Sequence, residues 1–405
     1  MPLPPAADPA MDPWLRPRLR SWLRPELRPG LRSILGRWHL ARAVIRGNYG
    51  VRPSPFKLTF AVTDRCNSRC RACGIWHRGC GEELALGEID AFFAANGGFS
   101  WVDLTGGEFF LRPDCREVVQ SLLARMPRLY HLHIPTNGVD PGRTVDAVRA
   151  ILRLSPPWFT VTLSLDGPPA LHDRLRGVAG NWESVMAVHE ALSPLVRGRF
   201  RLFFGLTLTP WNPGTLAATL AAVQERRPRV TLADFHLNLA HRSGHYYNNA
   251  GAGDGDLVFP GSGGVSPAAA RLAEAWLGDI RLLTAARRRR FDPVDFLERR
   301  YLAGVERFLR ERKCPERCRS LALSLFVGAT GEVYPCIIWD RPLGNLRESA
   351  FRLGPILESP RAREALTEIA MGGCPHCWTP CEAYPTLLGN GLPFSRRGGA
   401  PLEAG

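Results

Sequence analysis

No apolar run in the 405-residue chain approaches the roughly 18–20 residues that a membrane-crossing helix needs, so no spanning helix is expected. The N-terminal stretch MPLPPAADPAMDPWLRPRLRSWLRPELRPG lacks the apolar centre of a secretory signal and is broken by Pro and Arg. Without an export signal the eleven cysteines do not read as a small secreted disulfide scaffold. The expected compartment is the reducing cytoplasm, where clustered cysteines bind metal more often than they pair. Acidic residues are nearly missing from Trp14 to Arg46, where nine arginines meet only Glu26, a large share of the net charge of +14. Trp14, Trp22 and Trp38 are interleaved with those arginines, which suits an anionic membrane surface or an acidic partner, or equally a solvated basic extension. Pro17, Pro25 and Pro29 confine any amphipathic helix there to about Leu31–Ile45. No nucleic-acid-binding module is recognised and no internal repeat is present.

What the chain does have is alternation. The runs KLTFAVTD, WVDLTGG, LYHLHIPTNG, WFTVTLSLDG, RLFFGLTLTP and VTLADFHLNLA read as strands, and the amphipathic stretches near 86–97, 113–126, 142–155, 181–196 and 213–226 read as helices between them. Six such alternations predict a parallel sheet in an open, partial (β/α)6 TIM-like barrel with its site on the carboxyl edge. The order expected is a basic extension over 1–54, the barrel over 55–245, a Gly-rich linker and Arg-rich helical segment over 246–312, a small Cys-rich α+β domain over 313–385, and a tail over 386–405. Tyr246, Tyr247 and Asn248 read first as surface loop and second as pocket lining; RRRR at 287–290 reads as a solvated face. In the C-terminal domain LALSLFVGATGEVYPCIIW signals a hairpin around a Gly-containing turn.

Cys66, Cys70 and Cys73 lie in a polar loop with Arg65, Arg69 and Arg71 directly after the first strand, a poor setting for buried structural thiols. Zinc would want a fourth ligand, and only His77 or Cys80 is near. A cluster held by three thiolates fits better, because it leaves one iron open. Gly106-Gly107-Glu108 ends the second strand, and PTNG (135–138) and SLDG (164–167) end the third and fourth. With this company the C-x3-C-x2-C loop resembles the radical S-adenosylmethionine (SAM) superfamily.

The resemblance implies a radical SAM barrel whose [4Fe–4S] cluster is held by Cys66, Cys70 and Cys73. The open iron chelates SAM, and one electron from an external flavodoxin- or ferredoxin-like donor cleaves SAM to a 5′-deoxyadenosyl radical. It implies SAM contacts from Gly106, Gly107, Glu108, Asn137, Ser164 and Asp166, with Arg174 or Arg176 at the SAM carboxylate. Taken alone, Gly106 and Gly107 are an ordinary tight turn, and a strand-end turn explains Ser164 and Asp166 as well as a ligand role does. The residue before the third cysteine is Ala72 where the family often has a bulky one, which leaves Ile75 or Trp76 for the adenine.

The C-terminal cysteines resemble the auxiliary-cluster domains called SPASM and twitch: Cys318, twelve residues, Gly331, four residues, Cys336, then CPHCWTPC, with PLGNLRE after the hairpin. One auxiliary [4Fe–4S] cluster is implied, on Cys318, Cys336, Cys374 and Cys377, with Cys314 competing with Cys318 and Cys381 with Cys377. A second cluster, with open irons or a ligand such as His376, and zinc stay open as alternatives. Cys80 and Cys115 read as bystanders. His236, Asn238 and His241 are cavity candidates, and no catalytic acid or base is named. The function expected is oxidation or coupling of an unactivated carbon in a small molecule, lipid or saccharide. The alternatives are a ribosomal-peptide maturase, for which the extension is too short to be a recognition domain, and a non-enzymatic metal or nucleic-acid binder, for which Glu108 has no use. No room is left for a cobalamin domain.

Overall fold

A computed structural model describes residues 29–49, 55–79, 81–251, 267–287, 293–311 and 313–391. The expectations for residues 1–28, Cys80, the Gly-rich stretch 252–266, Arg288–Arg290 and the end of the tail lie outside the described residues.

Helix α1 (Pro29–Tyr49) precedes the barrel. The barrel strands are β1 (Lys57–Ala61), β2 (Trp101–Thr105), β3 (His131–Thr136), β4 (Phe159–Ser164), β5 (Phe200–Leu208) and β6 (Phe235–Leu239). Between them come α2 (Leu86–Ala95), α3 (Cys115–Arg125), α4 (Pro141–Arg153), the paired α5 (Pro169–Arg176) and α6 (Asn181–Leu192), and α7 (Leu216–Arg226). Each strand pairs in parallel with the next. Local chemistry sets the helix starts: at α4, Asp140 accepts the Arg143 N–H and Pro141 occupies the first turn, where its missing donor costs nothing.

Side chains alternate across each strand. One set, among them Leu58, Phe60, Val102, Leu104, Leu132, Ile134, Val161 and Leu163, is buried in the main apolar core. The other set faces the barrel lumen and is polar: Thr59, Asp103, His133, Thr162, Thr207, His236 and Asn238.

After the barrel come α8 (Pro267–Arg287) and α9 (Pro293–Glu311), then β7 (Ser324–Val327), β8 (Glu332–Tyr334), β9 (Gly344–Asn345), α10 (Leu353–Leu357), α11 (Pro360–Met371) and α12 (Pro380–Asn390). The expected hairpin is β7–β8, with Phe326 opposite Tyr334. It does not stand in a sheet of its own. β7 pairs in parallel with the free edge of β1, Lys57 opposite Ser324 through Phe60 opposite Val327, giving one nine-stranded sheet in the order β6-β5-β4-β3-β2-β1-β7-β8-β9. The solvated reading of 287–290 fails at Arg287, which is buried, pairs with Asp295 at 3.0 Å and donates to the Phe235 carbonyl at 2.7 Å. Among the described residues no helix is long and apolar enough to cross a membrane.

A buried lysine ties the two halves together. Lys57, 1 % exposed and one of two lysines in the sequence, pairs with Asp103 at 2.9 Å and donates to the Cys381 carbonyl on α12 at 2.7 Å. Burial is the largest effect and opposes its charge, but the acidic groups around it, Asp103 first and Glu382 among the rest, together outweigh that and hold its pKa above the ordinary value. Lys57→Met, which strands the Asp103 carboxylate, is expected to cost about 3–5 kcal/mol, read as a fall in denaturant midpoint. The double variant Lys57→Met/Asp103→Leu should recover most of the loss.

Candidate functional site

The cysteine loop leaves the carboxyl end of β1 and is clamped by backbone from three directions. The Arg69 and Arg71 N–H groups donate to the carbonyls of Arg176 and Leu175 at the end of α5. From the loop after β2, the Gly107 and Glu108 N–H groups donate to the carbonyls of Thr63 and Arg65. Gly106 sits at φ +140°, and a Cβ there would lie 2.0 Å from the Thr63 oxygen; at Gly107 one would lie 2.2 Å from the Arg65 oxygen. These glycines admit the chain's own loop backbone, a reason for them that is separate from any ligand. The third clamp is the segment after β6: the Gly74 N–H donates to the Tyr247 carbonyl, and Asn249 Nδ2 to the Ala72 carbonyl. Tyr246 and Tyr247 line the cavity rather than the surface, and Tyr246 bonds Thr105 at 2.8 Å.

All three cysteines line one cavity, which continues down the polar lumen. Cys66 lies 3.8 Å from Asn137 Nδ2, Cys70 3.7 Å from Arg176 Nη1, and Cys73 donates to the Tyr247 carbonyl at 3.7 Å. Burial pushes the Cys66 thiol up to about 11 and the Cys73 thiol to about 12, so these sulfurs ionise only against added positive charge. Ser68 in the same loop lines the cavity and is 1 % exposed, and its buried hydroxyl has no hydrogen-bond partner. Among the described residues no three His, Cys, Asp or Glu side chains converge on a single-ion site. Three thiols around a shared space, with an unpartnered hydroxyl beside them, fit a cationic group larger than one ion.

Of the residues expected around SAM, Asn137, Ser164, Asp166, Arg176, Gly106, Gly107 and Glu108 all border this cavity, as do Ala72, Ile75 and Trp76, whereas Arg174 is exposed away from it. Glu108 departs from the free carboxylate expected to meet an ammonium. It is buried, and its oxygens accept from the Thr136 hydroxyl at 3.0 Å and the backbone N–H groups of Asn137 (2.7 Å) and Phe110 (3.2 Å). Burial raises its pKa to about 6 against those bonds. Arg176 pairs with Asp166 at 2.8 Å, and Asp166 also accepts the Thr207 N–H.

Reading the sequence missed His172, which is fully buried behind this wall. Its Nδ1 accepts the Asp166 N–H at 3.1 Å, so its Nε2 donates to Asn181 Oδ1 at 3.0 Å, and Asn181 Nδ2 donates to the Asn137 carbonyl. One chain of hydrogen bonds thus links the ends of β3 and β4. The Asp103–His133 pair, 3.4 Å apart in the lumen, was also missed, although an acid inside the apolar run WVDLT signals a buried partner.

Cys318 is the hub of the C-terminal cysteines: it is buried beside Cys314, and Cys336, Cys374 and Cys377 lie near it. The N–H groups of Ser320 and Trp339 point at the sulfurs of Cys318 and Cys336. His376 Nδ1 faces the Cys314 N–H at 3.5 Å. Glu382, 3 % exposed, is beside this group with Oε1 unpartnered, an orphaned buried acceptor that suits a nearby cation. Cys381 packs with Cys336 and Cys377, as its expected competition with Cys377 requires, and also lines the lumen beside Thr59, with Lys57, Asp103 and Glu382 as its charged neighbours. Cys115 is buried on α3, away from both groups. His236, Asn238 and His241 all border the lumen; His236 Nδ1 is 3.1 Å from Glu298 of α9.

Residues 60–221 match the family model of the Radical SAM superfamily, and residues 318–378 match that of SPASM, an iron–sulfur cluster-binding domain. GTP 3′,8-cyclase of Moorella thermoacetica is 41 % identical over 91 residues, covering 21 % of this chain and 28 % of that protein. GTP 3′,8-cyclase of Acidothermus cellulolyticus is 35 % identical over 142 residues, covering 32 % and 37 %. The chain therefore spans well under half the length of these curated relatives. Among solved structures, a histidine-tagged anSMEcpe with bound AdoMet aligns over 77 % of this chain and 79 % of its own at a TM-score of 0.51 and 16 % identity. Native anSMEcpe with bound AdoMet and Cp18Cys peptide aligns over 77 % and 82 % at 0.50 and 17 %. At these identities the likeness is one of fold.

Burial, with Arg176 nearby, lowers the His172 pKa to about 4. The unfolded chain takes up this proton near pH 6.5 and the folded chain does not, so the contribution of His172 is complete above pH 6.5 and is lost as pH falls towards 4. Stability measured by denaturant titration should fall across that window, with a shallower slope in His172→Gln.

Proposed function

Because the chain joins a radical SAM domain to a SPASM iron–sulfur cluster-binding domain, we propose that it is an enzyme that cleaves SAM reductively and uses the resulting radical to take a hydrogen atom from an unactivated carbon of a polar small molecule. The radical SAM domain implies a [4Fe–4S] cluster and SAM, and the SPASM domain implies auxiliary iron–sulfur binding. When bound, these groups supply the one-electron cleavage to methionine and a 5′-deoxyadenosyl radical. The observation that carries the reading is the convergence of Cys66, Cys70 and Cys73, with the unpartnered Ser68 hydroxyl, on the mouth of one lumen. Those cysteines are the proposed ligands of the first cluster, and an external one-electron reductant is its proposed partner. Asn137, Ser164, Asp166 and Arg176 on the cavity wall are the proposed SAM contacts, and Gly106, Gly107 and Glu108 shape the wall that carries them. Cys318, Cys336, Cys374 and Cys377 are the proposed auxiliary ligands, with Cys314 against Cys318. Electron transfer to such a cluster supports oxidation or coupling of the substrate carbon.

The lumen supports a polar substrate over an acyl chain, since Asp103, His133, Thr162, Thr207, His236 and Asn238 line it. A nucleoside triphosphate, the substrate class in the names of the cyclases, calls for several cations. Among the described lining residues the arginines are Arg71, stacked at 4.1 Å on Trp211, and Arg176, paired with Asp166. That favours a substrate of lower negative charge, such as a saccharide or a related hydroxylated molecule.

The N-terminal helix supports a surface role as well. Ile34, Trp38, Ile45 and Tyr49 share one face of α1 and are 44–64 % exposed. Arg42 lies over the Trp38 ring, and the segment from Trp14 is strongly basic. This composition suits peripheral contact with an anionic bilayer.

The anaerobically reconstituted protein should form 5′-deoxyadenosine from SAM and a strong reductant. Cys66→Ala/Cys70→Ala/Cys73→Ala should abolish it; survival of SAM cleavage in that variant would sink the proposal. Cys318→Ala/Cys336→Ala should bind about four irons fewer than wild type. In flotation assays the protein should rise with phosphatidylglycerol vesicles but not with phosphatidylcholine vesicles. Trp38→Glu/Ile45→Glu should stay at the bottom with either; equal behaviour of variant and wild type would remove α1 from that role.

A further inference from the structure

The cations of which the lumen is short are gathered at the other end of the barrel. A second cavity, of about 520 Å³, lies at the amino ends of β4 and β5, the edge opposite the cysteine loop, and four arginines line it. Arg149 and Arg153 stand one turn apart at the end of α4, a spacing at which like charges repel. Arg197 and Arg199 come from the turn before β5, where Gly198 at φ +57° bends the chain between them. That turn is tied into the start of the sheet, since the Phe159 N–H donates to the Arg199 carbonyl at 2.9 Å and the Phe200 N–H to the Arg197 carbonyl at 3.1 Å. Among the described residues that line the cavity none is acidic, and the rest of the lining is mainly apolar, with Leu152, Leu195, Phe159 and Phe200. On the neighbouring helices arginines are answered: Arg226 at the end of α7 by Glu183 at 2.6 Å and the adjacent Arg227 by Glu190 at 3.9 Å, both on α6. Among the described residues Arg149, Arg153 and Arg197 have no such carboxylate.

We infer that this cavity binds a nucleoside polyphosphate, its phosphates held by the arginines and its base laid on the apolar lining, at a site separate from the SAM-binding lumen. A guanidinium pairs two phosphate oxygens at once through a fixed fork of donors, and several forks around one space match a ligand that carries several negative charges. Without such a ligand the four cations repel one another. The apolar part of the lining has no use for a bare inorganic anion, whereas it suits a flat ring. The cavity also falls within the roughly 300–1,000 Å³ of small-ligand sites, which is small for the face of a protein partner. The charge that argues against a nucleoside triphosphate in the lumen, where Arg71 is stacked on Trp211 and Arg176 is paired with Asp166, argues for one here. β4 runs from this cavity to Ser164, with Asp166 just beyond it, and β5 runs from it past Thr207. A ligand that draws the end of α4 towards the turn before β5 therefore grips the base of two strands whose far ends line the lumen, the placement of a regulatory ligand and not of a reacting one. This site does not depend on the radical reading above.

Calorimetric titration of the anaerobically reconstituted full chain with ATP, in magnesium-free buffer, reads the site directly. Wild type should bind ATP at a single site, more weakly as salt is raised. Arg149→Gln/Arg153→Gln/Arg197→Gln should lose at least about tenfold in affinity, as expected for charged hydrogen bonds removed, and should keep the wild-type denaturant midpoint, since only unanswered charges are taken away. Arg226→Gln/Arg227→Gln, which removes the answered arginines nearby, should bind ATP as wild type does. Saturating SAM should leave the ATP bound. Absence of binding to wild type, equal affinity in wild type and the triple variant, or displacement of ATP by SAM would each overturn the site. Pyrophosphate bound as tightly as ATP would overturn the nucleoside assignment, and polyglutamate bound in place of ATP would overturn it in favour of an acidic protein partner. Formation of 5′-deoxyadenosine is measured separately, so its failure would sink the radical reading and leave the result of this titration standing.

Discussion

Everything in this molecule hangs on the pairing of β1 along both edges. In an open parallel barrel the first strand exposes one row of backbone donors and acceptors, and that row must be satisfied or shielded. Here β7 fills it in parallel register, Lys57 to Ser324 through Phe60 to Val327. The same strand therefore ends in the three-cysteine loop and borders the strand that precedes Cys336. A shift of one residue in that register would turn Thr59 out of the lumen and Leu58 into it. The two cysteine groups are consequently set relative to each other by backbone hydrogen bonds, and no flexible linker intervenes between β1 and β7.

The lumen carries the main energetic burden of this arrangement. Lys57, Asp103, His133, His236 and Glu298 lie where apolar side chains would pack more cheaply. Each is answered within the barrel or from the helices that close it: Asp103 by Lys57, His236 by Glu298 and Tyr384, and Lys57 also by the Cys381 carbonyl. Replacing such pairs with apolar residues would cost the fold little, so their presence is better explained by what the lumen must hold. A polar substrate stripped of water needs partners that are already fixed, and these groups are fixed by one another.

Periodicity made the barrel legible. The strand runs ended in glycine or polar residues, the helices recurred at the right intervals, and both cysteine groups were visible as spacings. The joining of β7 to β1 was hidden, because LALSLFV reads as one arm of a hairpin and nothing local names its second neighbour. Side-chain allegiance was hidden for the same reason. Glu108 and Arg176 were found as residues, but their partners Thr136 and Asp166 come from other strand ends. CPHCWTPC presents three equivalent thiols in sequence. In the fold, the helix that starts at Pro380 brings the third of them to the lumen while keeping it packed beside Cys377 and Cys336.

The division of labour at the mouth follows from charge. Buried thiols repel ionisation, and Arg176 is the cation whose side chain reaches one of them, at Cys70. Asp166 neutralises that arginine and orients it, while His172, held neutral with its Nδ1 committed as an acceptor, keeps the Asp166 backbone in place without adding a second positive charge. A protonated His172 could not accept the Asp166 N–H, and the end of β4 would lose the bond that aligns it with Asn137 through Asn181. The Arg176–Asp166 pair on this wall is thus electrically balanced before any cofactor binds. The charge of whatever the thiols hold is left to be met by the thiols themselves, and that is the condition under which three of them suffice.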